Sequence, residues 1–259
     1  MKGRNRVRHF VIRIFRCRLL GCLLIALVVL NFSNGTANAR NKAPGRAVTF
    51  PLHSAEGLEV KSFPEDSSVD LDTKVEAVTY RGRRALRMLL DADGQAIAVV
   101  KKAHFKDGTI EADIAATPRQ GAPADARGFV GISFRVQDNG QRFETIYLRM
   151  TNGRADDQLR RNHSVQYTSE PDFPWHRLRK ESPGIYESYV DLDPGAWTKV
   201  RIVVRGVKTA VYVNGAEQPC LIVNDLKLGE SGGQVALYVA SDTDAYYSNL
   251  RIMPTQDGD

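Results

Sequence analysis

The chain has 259 residues, with 36 basic and 30 acidic side chains and a formal net charge of +6. Seven of the basic residues and none of the acidic ones lie in residues 1–39, so the remainder, from Arg40, sets 29 basic against 30 acidic groups and is near neutral at −1. That balance excludes the electrostatic footprint of a nucleic-acid binder, and with Cys220 as the one cysteine past residue 39, an intrachain disulfide is excluded there as well.

Residues 1–39 read as a secretory signal peptide. Lys2, Arg4, Arg6, Arg8, Arg13, Arg16 and Arg18 form a basic leader, Leu19–Phe32 is an apolar run of 14, and Ala37-Asn38-Ala39 offers a small-residue cleavage site. The run is shorter than the ~18–20 residues that span a bilayer. An uncleaved signal anchor is the competing reading, because the basic leader is long. Leu20-Gly21-Cys22 sits too early in the apolar run to serve as a lipoprotein box. Export implies a periplasmic or secreted protein that touches a membrane only through this segment, and only if the segment stays uncleaved.

After a polar, flexible tail over residues 40–47, the period-2 alternation of strands dominates from Val48 to Ile252, and no amphipathic helical window of 12 or more residues competes with it. Strands are expected at Arg84–Leu90, Ile97–Lys101, Thr109–Ala115, Phe129–Gln137, Phe143–Met150, Ser164–Thr168, Ile185–Leu192, Trp197–Arg205, Thr209–Asn214, Leu221–Val223, Gln234–Ala240 and Ala245–Ile252. Asp93-Gly94, Asp107-Gly108, Asn139-Gly140, Asn152-Gly153 and Asn214-Gly215 supply turn chemistry between them. About a dozen antiparallel strands without helices or internal repeats imply one all-β double-sheet sandwich or jelly roll, followed by a short tail over residues 253–259. Cys220 reads as a buried, inert thiol at the start of a strand.

The segment Asn152–Asp191 departs from this pattern. It gathers His163, Gln166, Tyr167, Trp175, His176, Arg177, Arg179, Tyr186 and Glu187, a mixture of flat aromatics and long hydrogen-bonding side chains. Such a mixture suits a polyhydroxylated ligand, since sugars offer C–H faces to aromatics and hydroxyl pairs to polar groups; the alternative is an ordinary polar insertion. Arg135, Tyr147 and Arg149 share one strand parity across the Asn139-Gly140 turn, with Gln166 and Glu187 on the strands that follow, so the five are expected on one exposed sheet surface. They form either a binding face or a ladder of arginine and glutamate that merely solvates the sheet. Trp175 and Tyr167 either wall that face or, for the Pro174-Trp175 pair, plug the sandwich edge.

Several of these stretches resemble a known family. Phe105–Glu111, Gly128–Arg135, Tyr147-Leu148-Arg149, Trp197–Val204, Val211–Gly215 and Tyr247–Ile252 are similar to the core strands of concanavalin A-like (laminin G-like) domains, including secreted bacterial proteins related to the 3-keto-disaccharide hydrolase domain. The resemblance implies a concanavalin A-like jelly-roll β-sandwich of two antiparallel sheets over residues 48–252. It leaves activity open, because the fold hosts lectins, glycosidases, lyases and adhesion modules. Retaining glucanases of this superfamily carry E-x-D-x-x-E on one strand, with two carboxyls ~5–5.5 Å apart. Here Glu111 and Asp113 fit that pattern but Ala116 stands at its third position, which argues against that mechanism.

The expectation is therefore a carbohydrate-binding domain, with substrate held by Arg135, Tyr147, Arg149, Gln166, Tyr167, Trp175 and Arg177. In its enzymatic form, a glycoside or keto-sugar hydrolase, Glu187 or His163 would act as acid or base. The alternative is a non-catalytic adhesion or protein-interaction module of laminin G-like type. No His-x-His or His-Glu-x-x-His spacing points to zinc. Calcium through Asp156, Asp157, Asp242 or Asp244 is the one metal the fold class suggests, although no loop has the spacing of a calcium motif. A monomer without a cofactor is otherwise expected. If the leader is removed after Ala39, intact-mass measurement of exported protein will give a chain starting at Arg40; retention of residues 1–39 would establish the anchor instead.

Overall fold

The computed structural model describes residues 45–68 and 71–255; the expected leader lies outside them. Fifteen strands and two short helices follow one another: β1 (Val48–Phe50), β2 (Leu58–Pro64), β3 (Thr73–Tyr80), β4 (Arg83–Leu90), β5 (Gly94–Phe105), β6 (Gly108–Pro118), β7 (Phe129–Gln137), β8 (Arg142–Arg149), α1 (Gln158–Asn162), β9 (Val165–Glu170), α2 (Trp175–Glu181), β10 (Glu187–Ser188), β11 (Thr198–Arg205), β12 (Lys208–Val213), β13 (Leu221–Val223), β14 (Gly233–Ala240) and β15 (Thr243–Pro254). They build two antiparallel sheets. The back sheet runs β13-β12-β11-β6-β15-β4-β3, with β1 added beside β15, and the front sheet runs β10-β9-β8-β7-β14-β5-β2.

The sequence reading passed over β1, β2 and β3. The last two are the far edges of the two sheets, and neither holds a fully buried residue, so neither shows a clean apolar face. Ile185–Leu192 pairs over two residues alone, Glu187 and Ser188 against β9.

Alternation explains the packing between the sheets. The back sheet sends in Leu86, Met88, Ile110, Ile114, Val200, Ile202 and Val204, and the front sheet Ala98, Val130, Ile132, Phe134, Ile146, Leu148, Leu237 and Val239. The outer faces differ. On the back sheet the outer face carries ion pairs such as Arg251–Glu111 and Arg83–Asp113, so the two residues that fit the glucanase pattern decorate the side away from the front sheet. On the front sheet the outer face is itself covered: Ile97, Val99, Val136, Phe143, Tyr147, Ala236, Tyr238 and Ala240 form a second buried cluster.

The front sheet also curls. The edge strand β2 meets the β7–β8 turn, with Lys61 Nζ donating to Asn139 Oδ1 at 3.2 Å and the rings of Phe63 and Phe143 5.8 Å apart. A bulge in β7 contributes to the bend: the register slips between Phe134 and Gln137 against β8, where Arg135 takes a positive φ of 53°. The facing strand slips as well, between Gln234 and Ala236, and Gly233 there approaches the Arg135 backbone so closely that no side chain fits.

The bulge overturns one expected position. Arg135 does not join Tyr147 and Arg149 on the outer face; it turns inward and is fully buried. Its guanidinium donates to the carbonyls of Gly229, Gly206 (2.6 Å) and Lys106 (3.2 Å) and to the carboxylates of Glu144 and Asp107, both at 3.3 Å. Tyr167 is misplaced by the same reading. It points into the core, donating to Glu144 Oε1 at 2.8 Å, and Glu144 also accepts from the Leu228 amide at 3.1 Å. Arg135 and Tyr167 thus fasten three loops to the interior. Removing one partner of a buried pair costs roughly 3–5 kcal/mol. Arg135→Met should therefore lower unfolding free energy by about that much in denaturant titration, against within about 0.5 kcal/mol for the exposed Arg205→Ala; an unchanged midpoint for Arg135→Met would refute the structural role.

Candidate functional site

Strand register lines up one row across the front sheet: Glu187, Gln166, Tyr147, Gly131, Tyr238 and Ile97 are successive cross-strand partners. Gly131 is the gap that matters. A Cβ there would lie 2.6 Å from Tyr147 Cβ, so only glycine lets the Tyr147 and Tyr238 rings close over it, centroids 5.4 Å apart and nearly parallel at 28°. Phe129, one row along, meets Tyr147 edge-on at 5.9 Å. These rings floor an open cavity of about 980 Å³, walled by Arg127, Arg149, Asn152 and His163, by Trp175, His176 and Arg179 of α2, and by Glu65 and Asp93 beside the β5 edge. The size suits a sugar of more than one ring.

Of the expected site residues, the structure brings Tyr147, Arg149, Gln166, Glu187, His163 and Trp175 together. Trp175 stands at the rim, 45% exposed, with the Arg179 guanidinium 4.8 Å from its ring. Arg177 does not line the cavity; on the exposed side of α2 it pairs with Glu181 at 2.9 Å and lies over Phe173. Arg149 is present but is not the exposed residue that strand parity implied. Its Nη atoms donate to the His163 carbonyl (2.9 Å), Tyr147 hydroxyl (2.9 Å) and Gln166 Oε1 (3.2 and 3.3 Å), which leaves Nε–H without an acceptor among the described residues. Gln166 is fully committed, holding Arg149 with its oxygen and the carbonyls of Tyr167 and Tyr186 with its amide nitrogen. It positions Arg149 and has no group left for a ligand.

Glu187 is similarly occupied. Arg179 grips its carboxylate at 2.6 and 3.0 Å, and His163 Nε2 lies 3.2 Å from its Oε1. Nε2 therefore carries the proton and the neutral imidazole keeps a free lone pair on Nδ1. Burial lowers the His163 pKa from its ordinary value; Glu187 opposes it, and Arg179, Arg149 and Arg127 add to the lowering.

The residue the sequence reading missed is Glu170, the last of β9. Gln166, Thr168 and Glu170 share parity, but an expected strand end at Thr168 hid it. Glu170 lines the cavity opposite Phe143, with no cation against it among the described residues. Burial pushes its carboxyl up to about 7, resisted only by a hydrogen bond from Thr168. Arg127 was missed too, being set in place by a loop rather than by strand parity, and Arg179, noted in the Asn152–Asp191 segment but not assigned to the site, is placed by α2. As for metal, Asp242 is tied to Arg119 and Asp244 to Arg87, Asp157 caps α1, and among the described residues no cluster of three or more ligating side chains is present.

The same architecture occurs in solved structures. A Bacillus subtilis protein of unknown function with a galectin-like fold is 11% identical, covers 82% of this chain and 97% of its own, and superposes with a TM-score of 0.53. The carbohydrate-binding module CBM66 from Bacillus subtilis is 16% identical over 70% of this chain and 94% of its own (TM-score 0.47), and a Bacillus licheniformis β-glucanase is 13% identical over 82% and 99% (0.46). At such identities the first of these speaks for the fold alone. No curated protein matches the sequence. Residues 76–253, which take in the cavity floor and most of both sheets, match the 3-keto-alpha-glucoside-1,2-lyase-like domain, and the chain belongs to that family.

Proposed function

We propose that the cavity binds a glycoside whose sugar ring carries a keto group and opens its glycosidic bond by elimination, the chemistry the family is named for. The observation that carries this reading is a pair of titratable groups displaced in opposite directions on one cavity: His163 is lowered and Glu170 is raised. Such a pair divides into base and acid near neutral pH.

His163 Nδ1 takes the proton from ring carbon 2, next to the carbonyl at carbon 3. The C–H electron pair moves toward the carbonyl and gives an enolate, which the free Nε–H of Arg149 stabilises as its charge develops. The enolate then collapses to a carbon 1–carbon 2 double bond, the carbon 1–oxygen bond breaks, and Glu170 gives its proton to the departing oxygen. In an α-glucoside the carbon-2 hydrogen and the carbon-1 oxygen are axial on opposite faces, so base and acid have to be different groups. Glu187 and Arg179 hold the imidazole in the tautomer that the base requires. The export leader expected in residues 1–39 belongs to the same proposal and puts the reaction outside the cytoplasm.

Incubation with a 3-keto p-nitrophenyl α-glucoside should release nitrophenol together with the absorbance of an unsaturated ketone. His163→Ala and Glu170→Gln should each lower kcat by about 10²–10⁴-fold. The rate should climb as pH rises through the His163 pKa, below 6.5, and fall again above about 7 as Glu170 ionises, the second limb vanishing in Glu170→Gln. Ligand binding without turnover would reduce the protein to a binding module.

Stability supplies a separate check. Because the folded pKa of Glu170, about 7, exceeds the ordinary 4.5, the folded state binds this proton more tightly than the unfolded chain does. Its contribution is present below pH 4.5 and declines toward pH 7, and Glu170→Gln should flatten that slope in melts taken across the range.

A further inference from the structure

The cavity wall around His163 holds more positive charge than one enolate oxygen calls for. Arg127 donates to the Asp125 carbonyl at 2.7 Å and to Asn152 Oδ1 at 3.3 Å. Arg160 reaches the same Asn152 oxygen at 3.4 Å and Thr151 Oγ1 at 3.1 Å. The Asn152 amide in turn donates to the His163 carbonyl at 3.2 Å, the oxygen that Arg149 also holds. All of these acceptors are neutral, so a chain of amides, hydroxyls and carbonyls draws three guanidinium groups together. Arg179 adds a fourth, offset by Glu187, and the Asp125 carboxylate beside Arg127 is exposed.

Gathering like charges in a partly desolvated wall is unfavourable unless something of opposite sign completes it. The strain registers on the members themselves: burial, then the charges of Arg160 and Arg149, lower the Arg127 pKa from its ordinary value. Arg127 is also the member with capacity to spare. It lines the cavity, and its Nη2 takes no acceptor among the described residues.

We infer that the substrate is an acidic glycoside, whose anionic substituent, a carboxylate or a sulfate ester, is bound in the ground state by Arg127. Guanidinium groups meet either anion with paired N–H donors, and those of Arg127, Arg149 and Arg179 lie on one wall of the cavity. Glu65 and Asp93 on the far wall repel the same substituent and so fix which way round the sugar lies. This inference rests on the proposed carbohydrate function and narrows its substrate class.

The Glu170→Gln protein, in which the ligand should survive, is titrated calorimetrically with 3-keto methyl α-glucoside and with its counterparts bearing a carboxylate at carbon 6 or a 6-sulfate. An anionic form should bind about 10- to 100-fold more tightly than the neutral one, an advantage that shrinks as salt is raised; whichever anion binds better names the substituent. Adding Arg127→Gln should erase the preference without weakening the neutral glycoside, and Arg127→Lys should retain part of it. Equal affinity for all three ligands overturns the inference and leaves the proposed function standing, and a preference that survives Arg127→Gln overturns the role of Arg127. Failure of all three to bind overturns the proposed function itself.

Discussion

A one-residue bulge in β7 is the feature on which the rest of the front sheet depends. At Arg135 the backbone takes a left-handed conformation, the register slips against both neighbours, and the side chain that alternation assigns to the outer face is delivered to the interior. There it satisfies three carbonyls and two carboxylates, tying the β5–β6 turn, the β11–β12 turn and the loop before β14 to the sheet. A bulge bends the strand that carries it, and here the bent sheet brings β2 round to the β7–β8 turn. The cavity is the hollow that results.

That hollow has an apolar floor and polar walls, which is an unusual environment for ionisable groups and sets their protonation. Glu170 faces aromatic rings and a single hydroxyl, so burial acts on it almost unopposed. His163 is partly withdrawn from water, and guanidinium groups around it add to the lowering that Glu187 opposes. The two shifts have one origin, water excluded from a sheet face that would be solvated in a flat sandwich. Glu187 has the opposite surroundings: Arg179 and His163 satisfy its carboxylate, which suits it to orienting rather than to exchanging a proton.

Chemically equal residues take different fates according to a single parity step. Tyr147 and Tyr167 are both fully buried tyrosines on adjacent strands, yet one floors the cavity and the other donates to Glu144 inside the sandwich. Arg149 and Arg135 differ in the same way. In each pair the burial is similar and the direction is decisive, so neither composition nor exposure would separate them.

The sequence by itself determined the sandwich, most of its strands and the neighbourhood of the site, because alternation of apolar residues is a local property that any fold burying those strands must respect. It also determined that Tyr147, Arg149, Gln166 and Glu187 share a face, since period-2 parity survives wherever pairing is regular. Only the tertiary structure decided what depends on irregular pairing or on loops. The bulge that removed Arg135 leaves no mark in the residue pattern, because Arg-Val-Gln continues the alternation. The edge strands β2 and β3 lack a clear apolar face because neither has a side chain fully buried. Arg127, Arg179 and the carboxyl of Glu170 became a site through sheet curvature and the placement of a loop and of α2, long-range consequences of packing that no local spacing encodes.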